Sequence, residues 1–241
     1  MGSYHSTTAR IGIVIPTLEE EETIASCLAH LQLESPPFEV IIADGGSQDF
    51  TLDRVADMKA TLTYPLHWGV APERGRAVQM NWGAQQTDAP ILLFLHADSR
   101  LPAGGLEAIR RSLEDPQIVG GRFRVQLDSQ RWPYPLFSRA INWRSQFTGY
   151  FTGDMGIFIR HQVFAKLGGY PCQPLMEDLE LSGRMQTWGQ RAFLEGPILT
   201  SSRRWQRHGP WRTIALMQIL RFSYRLGARP EDLVRWYRDV R

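Results

Sequence analysis

The stretch Ile91-Leu92-Leu93-Phe94-Leu95-His96-Ala97-Asp98-Ser99 runs an apolar segment into an imidazole and a carboxylate set one residue apart. The apolar part reads as a buried strand. Alternate positions of an extended chain point the same way, so His96 and Asp98 share one target while Ala97 faces elsewhere. A metal ion or a polar ligand is one such target. The competing reading is a turn in which Asp98 caps the next element and Pro102 starts a helix.

Two earlier segments have the same grammar. Ile11-Gly12-Ile13-Val14-Ile15-Pro16 is a β-branched run closed by proline. It is followed by the acids Glu19 to Glu22 and by apolar residues at helical spacing from Thr23 to Leu31. Acids before such a run suit a helix N-terminus. Phe38-Glu39-Val40-Ile41-Ile42-Ala43 is a second strand, entering the turn cluster Asp44-Gly45-Gly46-Ser47-Gln48-Asp49 and then a helical segment. A weaker strand is expected around Leu62 to Tyr64, a helix over Arg76 to Gln86, and a strand over Ile91 to Leu95. Strands alternating with helices predict an α/β fold with a mainly parallel sheet flanked by helices. Ligands of such sheets collect at the carboxyl ends of the strands, where Thr17, Glu20, Asp44, His96 and Asp98 all fall. Singly each acid also reads as a cap or a solvated charge; together they favour a polar-ligand site.

With 241 residues and an apolar fraction of 43%, the chain can bury a large core as one domain. A formal net charge of +2 argues against a nucleic-acid partner for the chain as a whole. Cys27 and Cys172 are far apart, outside metal-ligand spacing, and read as small apolar residues of a reduced compartment. No apolar run approaches the roughly 20 residues that cross a bilayer, and MGSYHSTTAR lacks the apolar core of a signal peptide. The expected location is the cytoplasm, or the inner face of a membrane. Residues 1–10 are expected to be a disordered tail, 11–212 the main domain and 213–241 an amphipathic helical extension of it.

In the middle of the chain, Gly120-Gly121-Arg122-Phe123-Arg124-Val125 alternates like a half-exposed strand, and Trp132-Pro133-Tyr134-Pro135 reads as a folded-over loop. In Phe151-Thr152-Gly153-Asp154-Met155-Gly156-Ile157-Phe158-Ile159, glycines bracket Asp154 ahead of another strand, and a glycine there permits close backbone approach to a bound group. Gly168-Gly169-Tyr170-Pro171 is a turn leading to Pro174-Leu175-Met176-Glu177-Asp178-Leu179-Glu180-Leu181. Its acids fall at a helix start, where the dipole favours their ionised form; first-turn charges with no further role are the alternative.

The ordered motifs IVIPTLEEEETI, IIADGGSQD, LHADS, GDMGIFIRHQVFAKLGGY, MEDLEL and SRRWQRHG resemble the family 2 glycosyltransferases, whose nucleotide-sugar-binding fold is called GT-A. The resemblance spans about residues 10 to 210, and within the family it is similar to the short bacterial members described as arsenosugar-biosynthesis-like or carotenoid glycosyltransferase-like. It implies a sugar donor carried on a nucleotide diphosphate, UDP or GDP, a hydroxyl acceptor, and a divalent cofactor, Mg²⁺ or Mn²⁺. The implied nucleotide-binding residues are Pro16, Thr17, Glu20, Asp44, Arg76, His96 and Ala97. Asp44 would accept an N–H of the base. Glu19 stands where asparagine is usual. Asp98 matches the last acid of the Asp-x-Asp metal motif, with His96 in place of the first, and His208 is the implied second ligand. Asp178 matches the catalytic base, which would give inversion at the anomeric carbon. Gly153, Asp154, Glu177, Arg204 and Trp205 are implied at the acceptor side or as partners of the first set.

The chemistry suits these residue types, because a departing diphosphate needs charge compensation and an attacking hydroxyl needs a proton acceptor. Arginines from Arg203 to Arg212 suit diphosphate oxygens, with Trp205 closing over the site. From Thr213 to Arg225 an apolar face offers a contact for a membrane surface or a second copy in a homodimer; packing on its own domain is the competing expectation. Two other classes share the fold: a nucleotide-sugar or glycan binder without activity, and a sugar nucleotidyltransferase. Pro16-Thr17-Leu18-Glu19-Glu20 lacks the glycine- and arginine-rich phosphate loop of the latter.

Overall fold

The computed structural model describes residues 8–238. The expected tail therefore lies outside the described residues except for 8–10, where the Arg10 guanidinium pairs with Asp88 and Glu39. The first half alternates strictly: β1 (Ile11–Thr17), α1 (Ile24–Leu31), β2 (Phe38–Asp44), α2 (Thr51–Lys59), β3 (Leu66–Val70), α3 (Arg76–Gln85) and β4 (Ile91–Phe94). Then come β5 (Ser99–Arg100), α4 (Gly105–Ser112), β6 (Ile118–Leu127), α5 (Tyr134–Thr148), β7 (Ile157–Arg160) and α6 (His161–Lys166). The chain continues through α7 (Glu177–Met185), β8 (Gln190–Thr200), α8 (Arg203–His208), α9 (Pro210–Arg225) and α10 (Pro230–Arg238).

One sheet of order β3-β2-β1-β4-β7-β6-β8-β5 results. Its first four strands are parallel, β7 is antiparallel to both neighbours, β6 and β8 run parallel, and β5 closes the edge antiparallel to β8. The sheet is mixed but mainly parallel, as expected. Strands β1, β2 and β4 are mostly apolar and almost wholly buried because helices cover both faces; their polar members Thr17, Glu39 and Asp44 are buried too. Helix α3 lies so close to β1 that a β-carbon at Gly83 would stand 2.4 Å from Val14 Cγ1. On the same helix the buried Gln79 donates its Nε2 to the carbonyls of Thr17 (2.7 Å) and Ala43 (2.8 Å), tying together the two strand ends that open the site.

Several expectations need correction. Leu62 to Tyr64 is a turn, and the strand begins four residues later at Leu66. Those apolar residues are anchors: the Tyr64 hydroxyl donates to Leu28 O at 2.7 Å, fixing the turn against α1. Of the expected loop Trp132 to Pro135, Tyr134 and Pro135 already belong to the 15-residue α5, which carries that proline in its first turn where no N–H is needed. β6 is largely buried, and even Arg122 is only 1% exposed, its guanidinium 4.9 Å from the Phe193 ring. Of the two alternating arginines Arg122 is buried, while Arg124 is exposed and pairs with Glu195. Cys172 is exposed, unlike Cys27.

The region from Thr213 packs on its own domain. Leu220 of α9 and Leu233 of α10 are fully buried with Met176 and Leu179 in a second apolar cluster. No helix among the described residues is long and apolar enough to cross a membrane.

Candidate active site

The end of β4 sets the site. Leu95 still donates its N–H to Val14 O (3.0 Å), so the chain leaves the sheet at His96. His96 and Asp98 are half-buried and line the same cavity of about 300 Å³, whereas Ala97 is 3% exposed and turns toward Cys27. Alternation along the chain thus brings the imidazole and the carboxylate to one target.

The opposite wall comes from two segments distant in sequence. A short 3₁₀ turn, Gly153–Met155, passes so near His96 that a β-carbon on Gly153 would lie 2.7 Å from His96 Nε2 and 3.8 Å from Asp178 Oδ2. The Gly153 N–H donates to Asp178 Oδ2 at 2.7 Å, and the Leu179 N–H donates to Oδ1 at 2.8 Å. Asp178 is therefore gripped by one backbone donor of the turn and one of its own helix. Its helix starts abruptly, since Met176 holds φ of 67°, a left-handed conformation uncommon for a residue with a side chain. That reversal aims both Glu177 and Asp178 inward.

Helix-start geometry alone does not decide the ionisation of these acids. Burial pushes the Asp178 carboxyl above its ordinary range, with the Gly153 N–H and the Arg76 charge opposing it. Glu177, 3% exposed, is likewise raised by burial and is held by Arg76, whose Nη1 lies 3.5 Å from Oε1. For Arg76, burial works against the charge, but Glu177, Asp178, Asp98 and Asp154 outweigh it and raise its pKa. Across the cavity burial also raises Glu20, partly offset by the Thr23 hydroxyl at 2.6 Å and increased by Asp98. Arg203, at the start of α8, stands 3.8 Å from Glu20 and 2.8 Å from Glu22.

One cavity is lined by Glu20, Arg76, His96, Asp98, Gly153, Asp154, Glu177 and Asp178, and its two groups of segments meet where Arg76 reaches Glu177 and Gly153 approaches His96. Trp205 is in its wall, stacked on Phe137 at 5.5 Å. Pro16, Thr17, Asp44, Ala97 and His208 do not line it. Thr17 and Asp44 are buried beside it in register, and the Asp44 carboxylate accepts four hydrogen bonds, from the Thr17 and Ser47 hydroxyls and the Gly46 and Ser47 N–H groups, at 2.7 to 2.9 Å. Those bonds fold the loop after β2. The Arg204 side chain lies outside the described residues. Among the described residues no three His, Cys, Asp or Glu side chains are close enough to hold a metal ion by themselves.

Sequence reasoning offered the run from Arg203 to Arg212 for the diphosphate and singled out Arg204, whereas Arg203 lines the cavity from α8; it missed Arg221, which lines it from α9. Neighbouring arginines made Arg203 hard to single out, and Arg221 was hidden in an apolar helix. It also missed why Glu19 stands where asparagine is usual: the residue takes φ of 56°, a left-handed conformation that asparagine tolerates. The Glu19 carboxylate instead accepts the Gln48 N–H at 2.8 Å and bridges the loops after β1 and β2.

A mainly parallel sheet with acids at its strand ends, continued by an antiparallel strand and a helical cover, defines the GT-A class of fold. Residues 12–167 match the family model described as glycosyl transferase family 2, and the chain belongs to that family. Among curated proteins it is similar to glycosyltransferase AglE of Haloferax volcanii, 25% identical over 211 residues that make up 81% of this chain and 65% of AglE. An uncharacterized Mycobacterium tuberculosis protein, MT1568, is 30% identical over 128 residues, 51% of this chain and 39% of that one. The chain therefore spans less than two thirds of the length of these relatives. Among solved structures, the mannosyltransferase PcManGT of Pyrobaculum calidifontis in complex with GDP-Man and Mn²⁺ superposes with a TM-score of 0.66 at 19% identity, over 92% of this chain and 66% of that one. Residues 1–349 of S. aureus TarS in complex with UDP-GlcNAc give a TM-score of 0.66 at 17% identity, over 80% and 59%. At such identities the likeness concerns the fold.

Proposed function

We propose that the protein transfers a sugar from a nucleotide-diphosphate sugar to an acceptor hydroxyl with inversion, Asp178 taking the acceptor proton. The observation that carries this reading is that Asp98, from the end of β4, and Asp178, from the start of α7, line one cavity. In the proposed step the acceptor oxygen bonds to the anomeric carbon as the bond from that carbon to the diphosphate oxygen breaks, and the hydroxyl proton passes to an Asp178 oxygen. Each Asp178 oxygen accepts one backbone N–H, leaving a second acceptor position on each. A pKa raised by burial brings the carboxyl nearer the working pH, which favours general base catalysis.

Glu20, Asp98 and Arg203 form the diphosphate end. A donor set of one or two carboxylates fits Mg²⁺ or Mn²⁺, which usually keep waters and bind together with substrate phosphates rather than in an all-protein cage. Asp98, with Glu20 beside it, would hold that ion, and the ion when bound would offset charge on the leaving diphosphate. His208, away from the cavity lining, takes no part in this reading. Asp44 and Thr17 shape the floor for the nucleotide base, and the Asp44 carboxylate can meet a base N–H by exchanging the Ser47 hydroxyl.

Calorimetry with UDP and GDP, with and without Mn²⁺, followed by assays of UDP- and GDP-sugar turnover across an acceptor panel, tests the reading. Metal-dependent binding of one nucleotide and turnover of its sugar conjugates are expected. Absence of binding to both nucleotides would overturn the assignment. Binding without turnover of any donor would make the protein a nucleotide-sugar binder.

A further inference from the structure

Behind Asp154 the cavity meets a group of arginines that the proposed transfer step does not use. Arg221 of α9 lines both the main cavity and an adjoining groove, in which Arg144 of α5 and Arg225 of α9 also take part. Among the described residues, Arg144 Nε and Nη2 and Arg221 Nη1 are buried with no hydrogen-bond partner, and so is Asp154 Oδ1. Arg225 is positioned over the Tyr150 ring at 5.2 Å.

Such an arrangement is costly for an empty fold. Buried N–H donors of a cation want acceptors, and guanidinium groups in proximity repel one another. Burial, and then the Arg221 charge, push the Arg144 guanidinium down to about 10, while Asp154 and Asp178 pull the other way. Burial lowers Arg221 as well, against the same two acids. Yet neither arginine is within 4.0 Å of a carboxylate in an ion pair among the described residues. Arg221 borders both the cavity lined by Asp154 and the groove lined by Arg144, and none of these groups pairs with another, so an occupant that satisfies them presents an oxyanion to the arginines and a hydroxyl to Asp154.

We infer that Arg144 and Arg221 form a subsite for an anionic group, a phosphate or a carboxylate, carried by the acceptor. This inference rests on the proposed transfer reaction and deepens it by giving the acceptor a charge. Planar guanidinium forks match both oxyanions. The placement of Arg221 beside Asp154 and Asp178 puts the anion on the acceptor side, whereas Glu20, Asp98 and Arg203 serve the donor diphosphate. The groove is also bordered by Leu179, Ile219 and Phe222, the last two 54% and 64% exposed. An apolar portion next to the anion therefore has a surface to lie on.

The test measures binding of inorganic phosphate, phenyl phosphate, octyl phosphate and benzoate by calorimetry, with the protein first saturated with UDP or GDP and Mn²⁺ so that the diphosphate end is filled. At least one of these anions should bind saturably. Its affinity should fall tenfold or more in Arg144→Gln and in Arg221→Gln, with nucleotide affinity retained. The Arg→Lys replacements, which keep the charge but lose the fork, should fall in between and control for folding, together with the thermal unfolding midpoint of every variant. Octyl phosphate binding more tightly than phenyl phosphate would identify a lipid-linked anion, and equal binding a soluble one; each supports the subsite. No saturable binding by any anion to nucleotide-bound wild type would overturn it. So would loss of nucleotide affinity in the folded glutamine variants, because the arginines would then serve the donor. Failure of nucleotide binding in wild type would instead count against the transfer reaction itself.

Discussion

Replacing Gly153 by alanine probes the contact that joins the two walls of the site. The added β-carbon would stand 2.7 Å from His96 Nε2, short of ordinary contact at 3.4 Å by about 0.7 Å. Either the imidazole or the turn must retreat. If the turn yields by that distance, the 2.7 Å bond from the Gly153 N–H to Asp178 Oδ2 lengthens to about 3.4 Å, the edge of hydrogen bonding. A hydrogen bond to a charged group contributes about 1.5–3 kcal/mol, and one pKa unit corresponds to about 1.36 kcal/mol, so Asp178 should protonate about one to two pH units higher. Misplacement on this scale should also slow turnover on the order of 10- to 100-fold. The assay is the pH dependence of kcat and kcat/KM for the donor and acceptor found by screening, beside the thermal midpoint and nucleotide affinity. The acidic limb should move up while nucleotide affinity stays within about threefold, since the atoms nearest the added β-carbon belong to His96 and Asp178 and not to Glu20, Asp98 or Arg203. A folded variant with wild-type turnover and an unmoved acidic limb would refute the claim that this hydrogen bond keeps Asp178 ionised.

Four further outcomes are expected. Asp178→Asn should lower turnover about 100- to 10,000-fold with little change in donor binding; near-normal turnover beside a loss in Glu177→Gln would move the base to Glu177. Asp98→Asn should weaken metal-dependent nucleotide binding by calorimetry at least tenfold, and much more than His96→Ala does; equal metal dependence in wild type and Asp98→Asn would remove Asp98 from the ion. Asp44→Ala takes the acceptor from four donors, the Thr17 hydroxyl buried and the other three part-buried, and a buried donor left unmade costs about 1–3 kcal/mol, so urea unfolding should show a loss of about 2 kcal/mol or more, and an unchanged midpoint would refute a shaping role. Glu177 binds its proton more tightly folded than unfolded, so its contribution to stability is greatest at low pH and declines as pH rises from 4.5 through its higher folded value. Wild type should accordingly lose stability relative to Glu177→Gln over that window in urea titrations; a relative gain would mean that the Arg76 ion pair outweighs burial.

The sequence by itself determined β1, β2 and β4, the helices that follow β1 and β2 and precede β4, and the rim on which Glu20, His96 and Asp98 lie, while it misplaced β3. These are local matters: apolar runs fully buried between helices, turn residues at their ends, and alternation that sends His96 and Asp98 one way and Ala97 the other. The helix start at Glu177-Asp178 was also legible, from the turn before it. Helix α5 was concealed by prolines that open it, β6 read as half-exposed because its arginines alternate although only Arg124 is exposed, and β8 carries no long apolar run of its own. Only tertiary structure decided that Gly153 would touch His96 and grip Asp178, that Asp44 would spend its acceptors on the fold of its own loop, and that Arg144 and Arg221 would meet behind Asp154. Each depends on which distant backbone groups fill an acceptor or leave it open, and on how much water the packed neighbours remove. Spacing along a chain specifies neither quantity, because both are set by segments up to more than a hundred residues apart, as in the 101-residue separation of Arg76 from Glu177.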